Sequence, residues 1–441
     1  MSGVSLTHEE HATNLLSDHT VSWQLIQNDC FQTVDHDSII SWNAFHALLV
    51  EESTSQTLIG YGPFFPESPT KPDVVEASVE YCITVTQALG QQHCVLTCDQ
   101  AIYEINLGLQ KKKPDKYKHL ILRMGGFHIA SNFLGALGKL FKSSGIETLV
   151  VEAKVFLGGT MNKLMAGKDY YKMVRCHTLV MSTMLELYWE AFESWTLDEP
   201  GVDLDVMASL NAAIRKLAEA VAHEDTTAAL QAQAEMIAVA DDVQKLLSDF
   251  ENTLCNSPTA KLWIMYINMV LLLKRYIAAE RKGCWEDHLT EVENMLPYLV
   301  SAGHIKYVAC VPHYLAAMRN LPPEIATEFQ CGRFKVRVTA GKFNAVWTDM
   351  ALEQTYNREA KTQLFKGITQ EESTREKYLR AIPALTAVSA KQATTMAQIQ
   401  GGGIQSTNSP GAGGEFVSII LLRRYLGFSC SIYSDLQEKF G

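Results

Sequence analysis

Two changes in the spacing of apolar residues divide this chain into three stretches. Up to about His128 the apolar residues form short runs of strand composition, with one stretch of helical spacing among them. The runs are Ser41–Leu49, Gln56–Phe65, His93–Asp99 and His119–His128, and the helical stretch is Asp73–Gly90. From about Tyr170 to Val300 long amphipathic helical patterns take over.

The third stretch, Glu328–Asp349, returns to a spacing of two residues. Apolar and polar positions alternate there in the order Phe334, Lys335, Val336, Arg337, Val338 and Thr339. Such alternation is typical of a strand with one buried and one solvated face. The sequence therefore predicts a hairpin whose polar side, including Lys335 and Arg337, faces water.

These patterns together predict a helix-rich α+β fold. A mixed sheet would be built from N-terminal and C-terminal segments, with a large helical insertion between them. We expect five regions: a flexible or helical segment 1–40, a strand-bearing motif region 41–169, a helical insertion 170–327, a hairpin with C-terminal helices 328–400, and a flexible linker and tail 401–441. The tail begins with the glycine-rich Gly401–Gly414, which has the composition of a linker.

Composition narrows the class of protein. Of 441 residues, 47% are hydrophobic and 20% charged, and the net charge is -11. An acidic chain cannot bind DNA through bulk charge, so DNA binding would need a local basic patch, for which Lys111, Lys112 and Lys113 are the densest candidate. The apolar run Leu262–Leu273 is too short for a membrane span and predicts a buried helix. Scattered cysteines and a polar N-terminus predict an intracellular protein, nuclear or cytoplasmic.

Asp99 is the first candidate for chemistry. It follows an apolar strand in "LTCDQAIY", and a carboxylate in that position stands at the rim of a sheet, where metal ions and phosphates are commonly bound. The alternative is that Asp99 caps the helix that follows by accepting backbone N–H bonds. Both interpretations stay open on sequence alone.

The segment "RMGGFH" (Arg123–His128) places a cation, two glycines and a histidine after a predicted strand. Glycines allow the backbone to approach a ligand or another element closely. Arg123 is thus a candidate for nucleic-acid binding and His128 for catalysis. The alternative is a bulge or a tight packing site.

A third candidate group opens a predicted helix in "TDMALEQTYN" (Thr348–Asn357). Asp349 and Glu353 are four residues apart and would lie on one helix face, where they could present two carboxylates to a metal ion. The alternative is a capped helix with a solvated acidic face.

Four segments taken together resemble a known group of proteins. They are "VLTCDQAIYEI", "HLILRMGGFHIASNFLGALGKLFKSSGIETLVVEA", "ERKGCWEDHLTEVENMLPYL" and "VWTDMALEQTYN". Their motifs D-Q-x-x-Y, G-G-F-H and D-M-A-L-E-Q, in this order, resemble an uncharacterised family of mobile-element-derived proteins that is multicopy in some animal genomes. The resemblance spans most of Ser41–Ala387, but the family has no established reaction.

The leading hypothesis is a transposase-like or nuclease-like domain whose ancestral chemistry is metal-dependent phosphoryl transfer. Asp99, Glu353 and His128 would be catalytic, and Asp99, Asp349 and Glu353 would bind Mg²⁺ or Mn²⁺. By analogy the core would be ribonuclease H-like.

This chain also departs from the family pattern. It has "KYVACVPHYL" (Lys306–Leu315) where the family carries tyrosine–alanine–arginine–tryptophan, and it lacks a glycine-rich continuation and an arginine–tryptophan pair after D-M-A-L-E-Q. The loss of these cations and glycines favours an inactive copy. The rival hypothesis is accordingly a non-enzymatic helical interaction or scaffold protein.

Overall fold

The computed structural model describes residues 15–33, 40–50, 55–61, 70–165, 169–351 and 418–420. The chain divides into two compact units. The first, unit 1, comprises residues 1–56 and 124–347, and the second, unit 2, comprises residues 57–123 and 348–441.

Unit 1 is helical wherever it forms regular elements. Its first part holds a 3₁₀ turn at Leu15–Ser17, α1 (His19–Thr33) and α2 (Trp42–Leu48). Unit 2 then contributes α3 (Pro72–Ala88) and α4 (Gln100–Lys112). The remaining helices of unit 1 are α5 (Gly126–Leu140), α6 (Ile146–Glu152), α7 (Gly158–Met165), α8 (Tyr170–Asp198), α9 (Leu204–Ala222), α10 (Thr226–Thr253), α11 (Pro258–Lys282), α12 (Trp285–Ser301), α13 (Ile305–Arg319) and α14 (Pro323–Gln330).

The predicted helical stretch from Tyr170 to Val300 is confirmed as α8 to α12. Local sequence explains where these helices begin. Asp169, Asp203, Asp225 and Ser257 each precede a helix and accept a backbone N–H of its first turn through the side chain. Such caps satisfy donors that the first turn leaves unpaired.

Helix α11 lies at the centre of unit 1 and contacts α5, α8 and α12. It buries nearly its whole middle portion, from Tyr266 to Glu280, as expected for a helix that is apolar almost all round. Pro258–Lys282 is long and apolar enough by length and composition to cross a membrane, and 61% of its most apolar window is buried inside the protein.

In the part of unit 2 that the structure describes, short strands accompany the helices α3 and α4. β2 (Cys94–Cys98) and β3 (Leu120–Met124) are neighbours in one sheet, and α4 connects them, as helices do between parallel strands. The last residue of β3, Met124, is counted with unit 1. β1 (Ile59–Tyr61) pairs in parallel with β4 (Ser418–Ile420), with Ile59 opposite Ser418. The expectation of a helix-rich α+β protein is therefore confirmed.

Three local expectations were wrong. Ser41–Leu49 forms helix α2 instead of a strand, because Ser41 caps it and Trp42, Phe45 and Leu49 recur at helical spacing on its buried side. The stretch Phe334–Asp349 adds no strand to the two-stranded sheets formed by the described residues. Its Val336 and Val346 form an antiparallel bridge.

The predicted wet face of that stretch was also wrong. Lys335 and Arg337 are both buried. Arg337 Nη2 donates to the Lys282 carbonyl oxygen at 2.7 Å, and Lys335 forms an ion pair with Glu280. Their partners on α11 lie about fifty residues earlier in the chain, so the alternation could not reveal them.

Three further expectations fall on residues outside the described ranges. They are the helix position of Glu353, the C-terminal helices expected up to residue 400 and the linker Gly401–Gly414.

Candidate functional site

The edge where β2 ends carries the first candidate residue. β2 finishes at Cys98, and Asp99 follows with an extended backbone as the N-cap of α4. Its Oδ1 accepts the Ile102 N–H at 3.0 Å. The helix-cap interpretation of Asp99 is therefore confirmed, and it leaves the carboxylate at the end of a strand.

A second group of candidates reaches the same sheet from the far end of the chain. A 3₁₀ turn, Thr348–Met350, contains Asp349 and contacts β2. Arg123, on β3, extends Nη1 to within 3.5 Å of Thr348 Oγ1. Unit 2 thus brings Asp99, Arg123 and Asp349 to one two-stranded sheet, although Asp349 lies 250 positions after Asp99.

A complete metal centre is not visible in the described ranges. Within them, no three or more His, Cys, Asp or Glu side chains are grouped in a way that could hold a metal ion. Glu353, the predicted third carboxylate, lies outside those ranges. The assignment of Asp99, Asp349 and Glu353 as metal ligands stays a prediction.

His128 belongs to unit 1 and lies in the first turn of α5. Its side chain is half-buried, its ring lies 5.5 Å from that of Phe127, and its carbonyl oxygen accepts a hydrogen bond from Asn132 Nδ2 at 2.9 Å. Its predicted catalytic role is untested.

The predicted nucleic-acid contacts differ in exposure. Lys111 and Lys112 occupy the last turn of α4, where cations interact favourably with the helix dipole, and both are exposed. Lys113 is exposed as well and forms an ion pair with Glu76. Arg123 is only 1% exposed, because its guanidinium lies against Thr348 inside the unit. The three lysines remain candidates for contact with a phosphate backbone, whereas Arg123 is placed to order the protein.

Unit 1 contains a buried polar network that was not predicted from the sequence. Glu280 on α11 forms an ion pair with Lys335 and contacts His288 Nδ1 at 2.6 Å. His288 Nε2 lies 2.7 Å from Tyr314 Oη. The four side chains form a chain from lysine to tyrosine, each within hydrogen-bond reach of the next, and all are essentially buried. Because every charge has a partner, this network holds α11, α12, α13 and the Lys335 segment together.

The second glycine of the G-G-F-H motif belongs to the same network. A Cβ at Gly126 would lie 2.5 Å from Glu280 Oε2 and 3.2 Å from Trp347 Cε3. Tyr276 Oη also donates to the Gly126 carbonyl oxygen at 3.3 Å. Of the interpretations given to the glycines, the tight packing site is therefore confirmed for Gly126. The Glu280 carboxylate also lies at the N-terminus of α5, where a negative charge is favoured.

A second cluster of buried polar groups lies where α2 covers α11. Lys274 Nζ sits 3.5 Å from the ring centroid of Trp42. His46, on the next turn of α2, lies 4.3 Å from Trp42 and is stacked on Phe343 at 5.0 Å. His19, at the start of α1, lies 5.8 Å from His46.

The surroundings of this cluster lower the pKa values of Lys274 and His46 and so favour their neutral forms. Burial first, and the charge of Arg281 second, lower the pKa of Lys274 to about 7, against the opposing charge of Asp18. Burial, aided by His19 and Lys274, lowers the pKa of His46 to about 2. Asp18 is itself engaged with Arg275, whose Nη1 lies 3.1 Å from Asp18 Oδ2. The nearby carboxylate of Asp18 is therefore paired with Arg275 and not with Lys274.

Comparison with models of protein families identifies the family of this chain. Residues 41–405 match the family described as "Domain of unknown function (DUF8702)", so the chain belongs to that family. No curated protein matches it, and no solved structure matches it either. The strand edge and both buried clusters lie within the matched range, apart from Asp18 and His19.

Proposed function

We propose that this protein is a transposase-like or nuclease-like domain derived from a mobile element, with metal-dependent phosphoryl transfer as its ancestral chemistry. The observation that carries the proposal is that Asp99 directly follows β2 and that the turn containing Asp349 contacts the same strand. Carboxylates gathered at a strand edge are what two-metal phosphoryl transfer requires.

The proposal gives roles to the carboxylates predicted from the sequence. Asp99 and Asp349 would bind Mg²⁺ or Mn²⁺, with Glu353 as a third ligand. The buried Arg123 would hold the Thr348 turn in place through Thr348 Oγ1. Lys111, Lys112 and Lys113 would supply the local positive charge that DNA binding needs in an acidic protein.

A ribonuclease H-like core is part of the proposal. Its support is the order of elements in unit 2: a strand that ends in an acid, a helix and a neighbouring strand. The later acid then arrives from a distant segment, after a long helical insertion. This is an argument from arrangement and analogy.

A thermal melt with and without Mn²⁺ tests the proposal. A ligand that binds only the folded protein raises its melting temperature. We expect millimolar Mn²⁺ to raise the melting temperature of the parent and to leave that of Asp99→Asn unchanged. The metal-free Asp99→Asn variant should be at least as stable as the parent, because one of two neighbouring carboxylates has been neutralised.

Asp225 provides a matched control for the loss of a cap. It caps α10 as Asp99 caps α4, since its Oδ1 accepts the Ala228 N–H at 3.0 Å. The melting temperature of Asp225→Asn should rise with Mn²⁺ by as much as that of the parent. A parent protein that shows no shift with Mn²⁺, or an Asp99→Asn variant that keeps it, would refute the metal site.

The second candidate is a non-enzymatic interaction or scaffold protein. It is favoured by large apolar side chains that α8 leaves exposed, including Tyr171, Leu187 and Leu197. Single exposed apolar residues are ordinary, but several along one long helix are typical of a binding surface. Replacing these three together by serine should leave melting and Mn²⁺ behaviour unchanged and should abolish any self-association seen by light scattering. An association that survives the substitutions would count against this surface.

A further inference from the structure

The cluster between α2 and α11 contains two buried polar groups that the fold does not pair. Lys274 takes part in no ion pair or hydrogen bond among the described residues, and its amine faces the ring of Trp42. His46 is 6% exposed, and its Nε2 has no hydrogen-bond partner within the same ranges. Both groups touch one indole, that of Trp42.

An unpaired buried polar group is costly, so most are satisfied by protein or by a bound molecule. Here His46 Nε2 has no hydrogen-bond partner among the described residues, and the Lys274 amine lies over the face of the indole that His46 also contacts. A small ligand that bonds to both groups would satisfy them. Apolar walls with a few convergent polar groups are also the usual character of small-molecule sites. Trp42 and Phe343 provide such walls here, with His46 stacked on Phe343.

The charges around Lys274 define its chemistry. Arg281 lies two helical turns further along α11 and repels a proton on Lys274. His19, Lys274, Lys282 and Arg281 in turn repel a proton on His46. The acids that oppose them are Asp18, which pairs with Arg275, and Asp287 of α12, which acts on His19. A desolvated amine beside other cations is the known means of making a lysine nucleophilic at neutral pH.

We propose that Lys274 is the nucleophile of a buried site for a small carbonyl compound that carries an acid group, such as a 2-oxo acid or glyoxylate. The neutral Lys274 amine attacks the carbonyl carbon and forms the C–N bond, while the carbonyl electron pair moves to oxygen. The nitrogen loses a proton and the oxygen gains one. Departure of water then leaves an imine, so that amine and carbonyl compound give imine and water.

The other residues have distinct roles at this site. His46, held neutral, would donate a hydrogen bond from Nε2 to the carbonyl oxygen, provided that its proton is on that nitrogen. Arg281 supplies the positive charge that favours an acid group on the ligand. Its Nη1 also donates to Asn43 Oδ1 at 2.9 Å and thereby helps to fix α2 over the site. Lys274 is 6% exposed, which limits the ligand to few atoms.

Reductive trapping on the full-length chain tests this proposal. The protein is treated at pH 7 with glyoxylate and cyanoborohydride, which reduces an imine to a stable carboxymethyl-lysine, and each lysine is quantified by peptide mass spectrometry. Lys261 is the matched control, because it lies on the same helix and is exposed. We expect Lys274 to be modified at least about tenfold faster than Lys261, since an ordinary lysine is almost fully protonated at this pH.

Variants and a second probe separate the parts of the proposal. In the Lys274→Arg variant, only the modification at position 274 should be lost. His46→Phe keeps an aromatic ring against Phe343 and should slow the modification of Lys274 severalfold. Its circular dichroism spectrum should match that of the parent. Formaldehyde, which lacks the acid group, should show a weaker preference for Lys274. Labelling of Lys274 no faster than that of Lys261 overturns the site. An equal preference with formaldehyde overturns the acid-bearing ligand class.

Discussion

Two buried lysines of unit 1, Lys335 and Lys274, differ in whether their amine is paired with a carboxylate. Lys335 is paired with Glu280, which in turn contacts His288, so its charge is neutralised inside the protein. Lys274 is almost as buried, yet it faces an indole and is crowded by cations. Pairing makes the first lysine part of the framework, and the lack of pairing leaves the second available for chemistry.

Removing the partner of a paired charge has the largest expected effect. Lys335→Met should lower the free energy of unfolding by about 3–5 kcal/mol, because Glu280 then remains buried without its cation. Urea denaturation measures this loss. The double variant Lys335→Met with Glu280→Gln should recover most of it, since no uncompensated charge remains. A loss below about 1 kcal/mol in the single variant would mean that the network does not stabilise unit 1.

The same substitution at the unpaired lysine should act in the opposite direction. Lys274→Met should raise the free energy of unfolding at pH 6 by about 2–4 kcal/mol, because it removes a buried charge. The folded pKa of Lys274 is about 7 and its ordinary value is 10.5, so the parent gains stability as pH rises between these values. The advantage of the variant should therefore shrink towards pH 10. Destabilisation by Lys274→Met at pH 6 would contradict the comparison.

The glycine beside the paired network offers a smaller test. Gly126→Ala places a methyl group against the Glu280 carboxylate and should cost about 1–3 kcal/mol. Gly135→Ala, in the same helix, meets nothing closer than His304 Cε1 at 3.4 Å and should be neutral or stabilising. Chemical denaturation of both variants compares them. Equal effects would show that Gly126 is not required for the approach of Glu280.

The smallest expected effect is on acid stability. Burial lowers the pKa of His46 to about 2 and that of His177 to about 4, from 6.5. The stability that these neutral rings contribute is complete above pH 6.5 and declines as pH falls through the interval below it. Between pH 7 and pH 5, the free energy of unfolding of His46→Phe should therefore fall by about 1–2 kcal/mol less than that of the parent. A loss of stability between pH 7 and 5 that is as large in His46→Phe as in the parent would contradict this account.

Local signals in the sequence predicted a good part of the fold. Short apolar runs predicted β2 and β3, and the helical spacing of apolar residues predicted α8 to α12. The candidate site was partly predictable for the same reason: Asp99 follows β2 directly, so its place at a strand end depends on neighbouring residues only.

The errors have a common physical cause, which is that the deciding partners are distant in sequence. Lys335 looked like a solvated strand residue because Glu280 lies on another element. Lys274 could not be linked to Trp42 across 232 positions of chain. Ser41–Leu49 was misjudged because its aromatic residues favour strands, whereas Ser41 starts a helix that is buried against α1.

Competitive trace labelling of the two lysines in one sample is the most direct test of the comparison. The native protein is exposed at pH 7 to a trace of acetic anhydride, which acylates neutral amines, and is then unfolded and labelled completely with a heavy isotope of the same reagent. The account predicts that the native-state label appears on Lys274 and is absent from Lys335 until the protein unfolds. Equal labelling of both lysines, or none on Lys274, would contradict it.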